Sequence, residues 1–314
     1  MEYQKFENVK LPVSKLVFGT SIQPCVKGLN CDEIFDEAVN LGITIFDTAR
    51  VYGKAEETLG AWMEKRGNRD KIVVLSKGGH HNPLLMKRLK EKHILYDANK
   101  SLEKLRTDFI DVYLLHRDNP AVPVDEMVET LNALRAQGKI GAFGGSNWSH
   151  ERIEQANEYA YKKGLTPFTF SSPYFGLANM RKTGFGYGLL GITGQENASA
   201  REYYEKTQMP IVAYSTLGKG LFSGKVTEKR QISPLWARHS FGEDANFLRL
   251  ARCKELALKK GVSVAQIAIA WSKSSALNVF PIVGASKPAT LRLSVEAMSI
   301  TLSADERAYL NLEK

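Results

Sequence analysis

Residues 43–66 read ITIFDTARVYGKAEETLGAWMEKR, and the way this stretch divides decides the fold. ITIFDT is apolar and β-branched without alternation, the pattern of a strand covered on both faces. A short polar loop follows. AEETLGAWMEKR (55–66) is then amphipathic and acidic in its first turn, where the helix dipole favours carboxylates. Strand, loop and helix make one βα unit.

The unit recurs in both directions. After a polar lead-in, KLVFGT (15–20) reads as a short strand ending at Gly19, and a helix follows from Asp32, a candidate N-cap, to Leu41, with Gly42 as its stop. Downstream, KIVVLSK (71–77), FIDVYLLH (109–116), IGAFGGS (140–146), PFTFSSP (167–173), PIVAYST (210–216) and VFPIVGA (279–285) are strands. Helical patterns cover 94–105, 125–137, 150–163, 198–207, 246–260 and 264–274, with further helical segments at the C-terminus. Eight apolar strands alternating with helices imply a parallel sheet, because crossover connections are what join parallel neighbours. Within 314 residues that pattern predicts one domain over 1–314, an α/β (β/α)8 TIM barrel with extra C-terminal helices. An open doubly wound sheet would carry G-x-G-x-x-G after its first strand; the chain has FGTSIQ there, and no P-loop. Gly141, Gly144 and Gly145 suggest a phosphate loop only weakly.

The formal charge of +9 favours anionic partners in general. The basic residues are scattered, however, and the densest run, KRLKEK (87–92), carries a Glu. It reads as a solvated helix face, not a nucleic-acid footprint. Cys25, Cys31 and Cys253 are odd in number and lack C-x-x-C spacing, which predicts neither a disulfide framework nor a zinc knuckle and suits a reducing compartment. The opening MEYQKFENVKLP is too polar for a secretory segment, and no apolar run approaches membrane-spanning length. The expectation is a cytoplasmic protein with a small-molecule partner and no nucleic acid or membrane; its oligomeric state stays open.

Barrel enzymes carry their chemistry on the loops after the strands. Those positions hold Gly19 and Thr20, Asp47 and Tyr52, Lys77, His116, Ser146 and Asn147, Ser171 and Tyr174, and Tyr214 and Ser215. Singly, each ionisable residue has a structural explanation: Lys77 caps a loop, Asp47 pairs with it, His116 is a core histidine, Tyr52 a packed aromatic. Four of them from three successive strands make those explanations poor together. A tyrosine titrating near ~10 exchanges protons poorly at neutrality. A neighbouring Lys77 ammonium lowers that value, and Asp47 keeps the lysine charged. His116 can hydrogen-bond a substrate oxygen. Such a set needs a hydride donor on the carbonyl's other side, which implies a cofactor. It requires no metal and no covalent nucleophile.

These motifs resemble the aldo-keto reductases, and among them the bacterial aryl-alcohol-dehydrogenase-like group. IFDTARVYG resembles the family's strand-two signature, VVLSK its strand-three lysine, DVYLLHRDNP its strand-four histidine, GGSNW its nicotinamide-amide motif and VAYSTLGKGLFSGK its strand-seven cofactor loop. They occur in family order, and the resemblance runs from about Asn8 to Leu312. It implies Tyr52 as general acid in reduction and base in oxidation, Lys77 and Asp47 as its tuning pair, and His116 orienting the carbonyl. It further implies Ser146 and Asn147 on the carboxamide, Tyr214 on the nicotinamide ring, Ser215, Leu217 and Gly218 along the pyrophosphate, and Gly19 and Thr20 near the nicotinamide ribose.

Two departures stand out. Ser171 occupies the place of a common Gln, so the third carboxamide partner is shorter and reaches only through water. In GASKPATLRLS (284–294), Gly284, Ser286, Lys287, Thr290 and Ser294 stand at or near the adenine-end positions, with Arg292 a looser candidate. Their basic character favours NADP(H), with NAD(H) as the alternative. His80 and His81 in GGHHNP read as pocket lining or plain loop, since adjacent histidines seldom face one metal. Phe185 and Tyr187 in GFGYG are candidate pocket wall. The resemblance also admits a second reading, a nucleotide-sensing and catalytically weak regulatory subunit on the same barrel.

Overall fold

The computed structural model describes residues 1–81, 88–181 and 188–314. A short antiparallel hairpin, Tyr3–Gln4 (β1) and Val13–Ser14 (β2), opens the chain. Eight parallel strands then close a barrel in sequence order: Val17–Gly19 (β3), Ile45–Asp47 (β4), Val73–Gly78 (β5), Ile110–Leu115 (β6), Ile140–Ser146 (β7), Phe170–Ser172 (β8), Ile211–Ala213 (β9) and Val279–Val283 (β10). The chain divides into two compact units, residues 1–172 with 284–291 and residues 173–283 with 292–314.

The first unit holds β1 to β8 and the helices Gln23–Lys27 (α1), Asp32–Asn40 (α2), Ala55–Arg66 (α3), Glu91–Leu105 (α4), Val124–Ala136 (α5) and His150–Lys163 (α6). Its barrel strands are buried along their whole length, which is why their sequences are apolar without alternation. Phe18, Phe35, Phe46 and Trp62 form an aromatic cluster with centroids 5.2 to 5.8 Å apart. Each such ring contributes roughly 2 kcal/mol through its burial.

Register fixes the functional end. Gly19 pairs with Asp47, Asp47 with Leu75, Lys77 with Leu114, and Ser146 with Ser172. Residues at the start of these loops donate N–H groups to carbonyls of the neighbouring strand: Thr20 to Asp47, Thr48 to Leu75, Arg50 to Lys77, His116 to Gly78 and Asn147 to Ser172, at 2.7 to 3.1 Å. The side chains at these loops therefore start from backbone held by the sheet.

The glycines of IGAFGGS serve packing. A Cβ on Gly144 would lie 1.8 Å from the Phe170 carbonyl oxygen, and one on Gly145 would strike the Trp148 ring. Gly60, inside α3, lets that helix close on the backbone of Lys104 and Leu105 in α4.

Three local features differ from the sequence reading. Asp32 is the first residue of α2; Cys31 occupies the N-cap and offers no side-chain bond, while Asn30 Oδ1 accepts from the Asp32 N–H at 2.8 Å. The lead-in forms the β1–β2 hairpin, tied down as Ser14 and Thr44 exchange side-chain and backbone bonds. Helix α1 has no signal in the sequence, because its five residues include Pro24 and span little more than one turn.

The second unit holds Ala198–Thr207 (α7), β9, Leu235–Phe241 (α8), Asp244–Lys260 (α9), Val264–Lys273 (α10) and β10. Helix Pro288–Glu296 (α11) starts in the first unit and ends in the second, and Ala304–Asn311 (α12) completes the extra C-terminal helices. Capping boxes at Ser263/Gln266 and Ser303/Glu306 start α10 and α12. Trp271 Nε1 donates to Asn311 Oδ1 at 2.9 Å and Arg307 to the Trp271 carbonyl at 2.6 Å, fastening α12 to α10. Among the described residues no helix is long and apolar enough to cross a membrane.

Candidate active site

Asp47 ends β4, Lys77 lies one residue from the end of β5, and His116 follows β6 directly. Tyr52 sits in the loop after β4, where its N–H donates to the Ala49 carbonyl at 2.9 Å and its own carbonyl accepts from Ala55 at 3.0 Å. The structure brings these four together. Lys77 Nζ donates to Asp47 Oδ1 and, at 3.0 Å, to the Thr48 carbonyl. Both residues are buried, Lys77 at 2% and Asp47 at 3% exposure. The same ammonium stands 5.2 Å from the centre of the Tyr52 ring. The His116 ring meets Tyr52 edge-on at 5.7 Å.

Burial works against the Lys77 charge, but Asp47 and Tyr52 overcome it and lift its pKa above the ordinary value. Lys77 is therefore a permanent cation at neutral pH. Tyr52 differs from the sequence expectation. Burial pushes its hydroxyl up by more than Lys77 pulls it down, so its pKa stands above the usual tyrosine value. The lysine limits the rise instead of producing a net fall. His116 is driven well below the ordinary histidine value, first by burial and then by Arg117, Lys77 and His80. It is neutral at physiological pH, and its Nδ1 has no hydrogen-bond partner among the described residues.

Around this core the first unit adds a polar ledge. Ser146 Oγ donates to the Ser172 carbonyl at 3.0 Å, and Asn147 Nδ2 donates to Ser146 Oγ at 3.0 Å and to the His116 carbonyl at 3.2 Å. Asn147 adopts a left-handed backbone, φ 59°, a conformation that Asn tolerates better than most side chains. Ser171 and Thr20 are fully buried; Thr20 Oγ1 donates to the Asp47 carbonyl at 3.0 Å. Gly19 is buried too. A Cβ on Gly284 would sit 2.9 Å from Ile22 Cγ2, while Ser286, Lys287 and Thr290 lie at the start of α11, Ser286 and Thr290 exposed.

In the second unit, Tyr214 lies 6.0 Å from Tyr174, centroid to centroid, and its hydroxyl donates to the Leu190 carbonyl at 3.2 Å. Ser215, Gly218, Lys219 and Gly220 all have positive φ, and the Gly218 N–H donates to the Ser215 carbonyl at 2.7 Å. Leu217, between them, is partly exposed. Backbone of this kind gathers N–H groups into an anion-binding concavity. Ser294 is buried within α11 and Arg292 is exposed.

Sequence reasoning missed Arg117. It is buried, donates to the His116 carbonyl at 2.7 Å, helps to lower the His116 pKa and opposes part of the rise at Tyr52. Its position directly after the histidine was the available signal. The left-handed backbone at Lys219, φ 53°, has no signal in VAYSTLGKGLFSGK. His80 contacts His116 at 4.9 Å and its Nδ1 bonds the His81 carbonyl at 2.9 Å, which puts it in the shell of the four. Among the described residues no group of three or more His, Cys, Asp or Glu is placed to hold a metal. Phe185 and Tyr187, together with Lys87, lie outside the described residues.

Comparison with known proteins agrees with this geometry. The profile of the Aldo/keto reductase family matches residues 30–311. An aldo-keto reductase of Bacillus subtilis strain 168, YhdN, is 26% identical over 99% of this chain and 93% of its own. An aryl-alcohol dehydrogenase [NADP(+)] of Phanerodontia chrysosporium is 30% identical over 89% of this chain and 74% of its own. A probable aryl-alcohol dehydrogenase of Saccharomyces cerevisiae, AAD4, is 30% identical over 88% and 85%.

Proposed function

The chain belongs to the aldo/keto reductase family of oxidoreductases, and from that premise we propose that it interconverts an aldehyde or ketone with the corresponding alcohol, using NADP(H). The observation that carries this reading is the buried Lys77 ammonium, paired with Asp47 and 5.2 Å from the Tyr52 ring. A lysine kept charged in a buried setting beside a tyrosine can stabilise that tyrosine's anion.

The residues fit a nicotinamide dinucleotide. Ser146 and Asn147 form a buried hydroxyl–amide ledge suited to a carboxamide. Tyr214 offers a partly exposed ring. The left-handed run at Ser215, Gly218, Lys219 and Gly220 suits a pyrophosphate. Gly19 and Thr20 would lie near the ribose, Ser171 would reach the carboxamide through water, and Gly284, Ser286, Lys287, Thr290 and Ser294 would serve the adenine end. Lys287 gives a 2′-phosphate a partner, and one relative carries NADP(+) in its name. When bound, the cofactor supplies or accepts the hydride.

The protein's own share is the proton. Neutral His116 and the Tyr52 hydroxyl both hydrogen-bond the carbonyl oxygen, polarising it. As negative charge develops on that oxygen, Tyr52 gives up its proton, and the fixed Lys77 charge stabilises the phenolate left behind. Asp47 prevents the lysine from swinging away. In oxidation the same phenolate takes the proton back.

Aryl and sugar-derived carbonyls are the substrate classes we favour, the former because several relatives are named aryl-alcohol dehydrogenases. The test is nicotinamide fluorescence on titration with NADPH and NADH, followed by cofactor consumption over a panel of aryl aldehydes, ketones and sugars. Tight NADPH binding with turnover on the panel supports the reading. Tight binding without turnover on any member favours the nucleotide-sensing subunit instead.

A further inference from the structure

We propose that Cys25 and Cys31 form a peroxide-reactive thiol pair that closes to a disulfide, and that closure is transmitted to the loop carrying Tyr52. The three cysteines are free thiols, and their spacing in sequence predicts no bridge. The fold nevertheless places Cys25, in α1, against Cys31, at the N-cap of α2, with their sulfurs 2.8 Å apart and both side chains buried. A hydrogen bond joins them. Closure to a disulfide, with its S–S length near ~2.05 Å, asks for a shift of under about 1 Å.

The two sulfurs are not equivalent. The bond from Cys25 pulls the Cys31 thiol below its ordinary pKa, and the same bond, together with burial, pushes Cys25 up. Cys31 is therefore the sulfur that ionises first, and Cys25 keeps its proton. Access is also one-sided. A surface cavity of about 380 Å³ is lined by Cys31 with Asn30, Lys54, Thr58 and Trp62; Cys25 does not line it. A small neutral oxidant reaches Cys31 from this side; Lys54 and Lys65 on its wall favour a thiolate there, while Asp32, next to Cys31, opposes one.

The chemistry balances with hydrogen peroxide as oxidant. The Cys31 thiolate attacks one peroxide oxygen, the O–O bond breaks, hydroxide leaves, and Cys31 becomes a sulfenic acid. The Cys25 sulfur then attacks the Cys31 sulfur, the S–O bond breaks, and water leaves with the Cys25 proton. Two thiols lose two protons and two electrons, and one peroxide becomes two waters.

Three contacts link the pair to the Tyr52 loop. The Val26 carbonyl, next to Cys25, accepts from the Lys54 N–H at 3.0 Å. Gly53 packs so closely on that carbonyl that a Cβ there would lie 2.6 Å from its oxygen. Thr58 Oγ1 donates to the Cys25 carbonyl at 3.1 Å. Drawing Cys25 towards Cys31 moves the carbonyls on which residues 53–58 rest.

The test uses the reduced full-length protein treated with hydrogen peroxide. The expected result is a loss of about 2 Da in intact mass and a proteolytic peptide joining Cys25 to Cys31, both reversed by dithiothreitol. Cys25→Ser should accumulate a sulfenic acid at Cys31 that dimedone traps, while Cys31→Ser should leave Cys25 a thiol. Amide exchange at Lys54 should change by roughly threefold or more on oxidation; this readout needs no turnover, so it stands apart from the role given to Tyr52. Cys25 and Cys31 remaining thiols after free cysteine in the same mixture is consumed would overturn the pair. A linked peptide with unchanged exchange over residues 53–58 would overturn the transmission.

Discussion

The rings of Tyr52 and His116 meet edge to face, 5.7 Å apart and 80° between planes. One is a hydroxyl whose pKa burial raises; the other is an imidazole kept neutral by burial and by Arg117. On the proposed function, these two uncharged groups would polarise a carbonyl oxygen without protonating it prematurely. In the proposed reaction, the Lys77 charge beside them stabilises the phenolate as it forms.

The pH dependence follows with a definite sign. Reduction needs the protonated Tyr52 hydroxyl, and its pKa is raised. The reduction rate should stay level through neutrality and fall only as pH climbs into the alkaline range. Oxidation needs the phenolate and should rise over that same range. Lys77→Met removes the downward pull on Tyr52, so the oxidation limb should move to still higher pH. Profiles of kcat/KM in both directions check this, and identical limbs in wild type and variant would contradict it.

Breaking the buried Asp47–Lys77 pair should cost stability out of proportion to its worth. Asp47→Ala strands a lysine charge in the interior and should lower stability by ~3–5 kcal/mol. The double variant Asp47→Ala/Lys77→Met removes both charges and should recover most of that loss. Urea midpoints of the three proteins decide the point.

Gly60→Ala separates helix propensity from packing. Alanine favours a helix interior by ~1 kcal/mol, but its methyl would lie 2.5 Å from the Lys104 carbonyl oxygen and 2.7 Å from the Leu105 backbone. Backbone cannot yield as a side-chain tip does, and such overpacking costs ~1–3 kcal/mol. A net loss in thermal stability is the expected outcome.

At the adenine end, Lys287→Ala should weaken NADPH binding by roughly tenfold, the scale of one charge-assisted hydrogen bond. NADH affinity should barely change. Fluorescence titration with both cofactors reads the difference. Equal losses for both would place Lys287 away from the 2′-phosphate.

Much of this was legible before any coordinates. The eight apolar strands announced themselves because a barrel strand is buried on both faces, and Asp47, Lys77 and His116 stand at or next to their strands' ends. The helix 55–66 could be read to the residue, since acidic and basic termini and Gly67 mark its ends. What the sequence concealed was mostly distance and balance. Nothing local says that burial outweighs Lys77 at Tyr52, that Arg117 turns back to the His116 carbonyl, or that Cys25 and Cys31 touch. Short elements such as α1 and the β1–β2 hairpin escaped because two to five residues carry no period.

The central claim is that Tyr52 moves the proton, and Tyr52→Phe tests it most directly. The substitution removes one oxygen and keeps the ring against His116. NADPH consumption on a carbonyl turned over by the wild type should fall ~100-fold or more, while NADPH still binds with unchanged affinity by fluorescence. Equal rates for the two proteins would contradict the account.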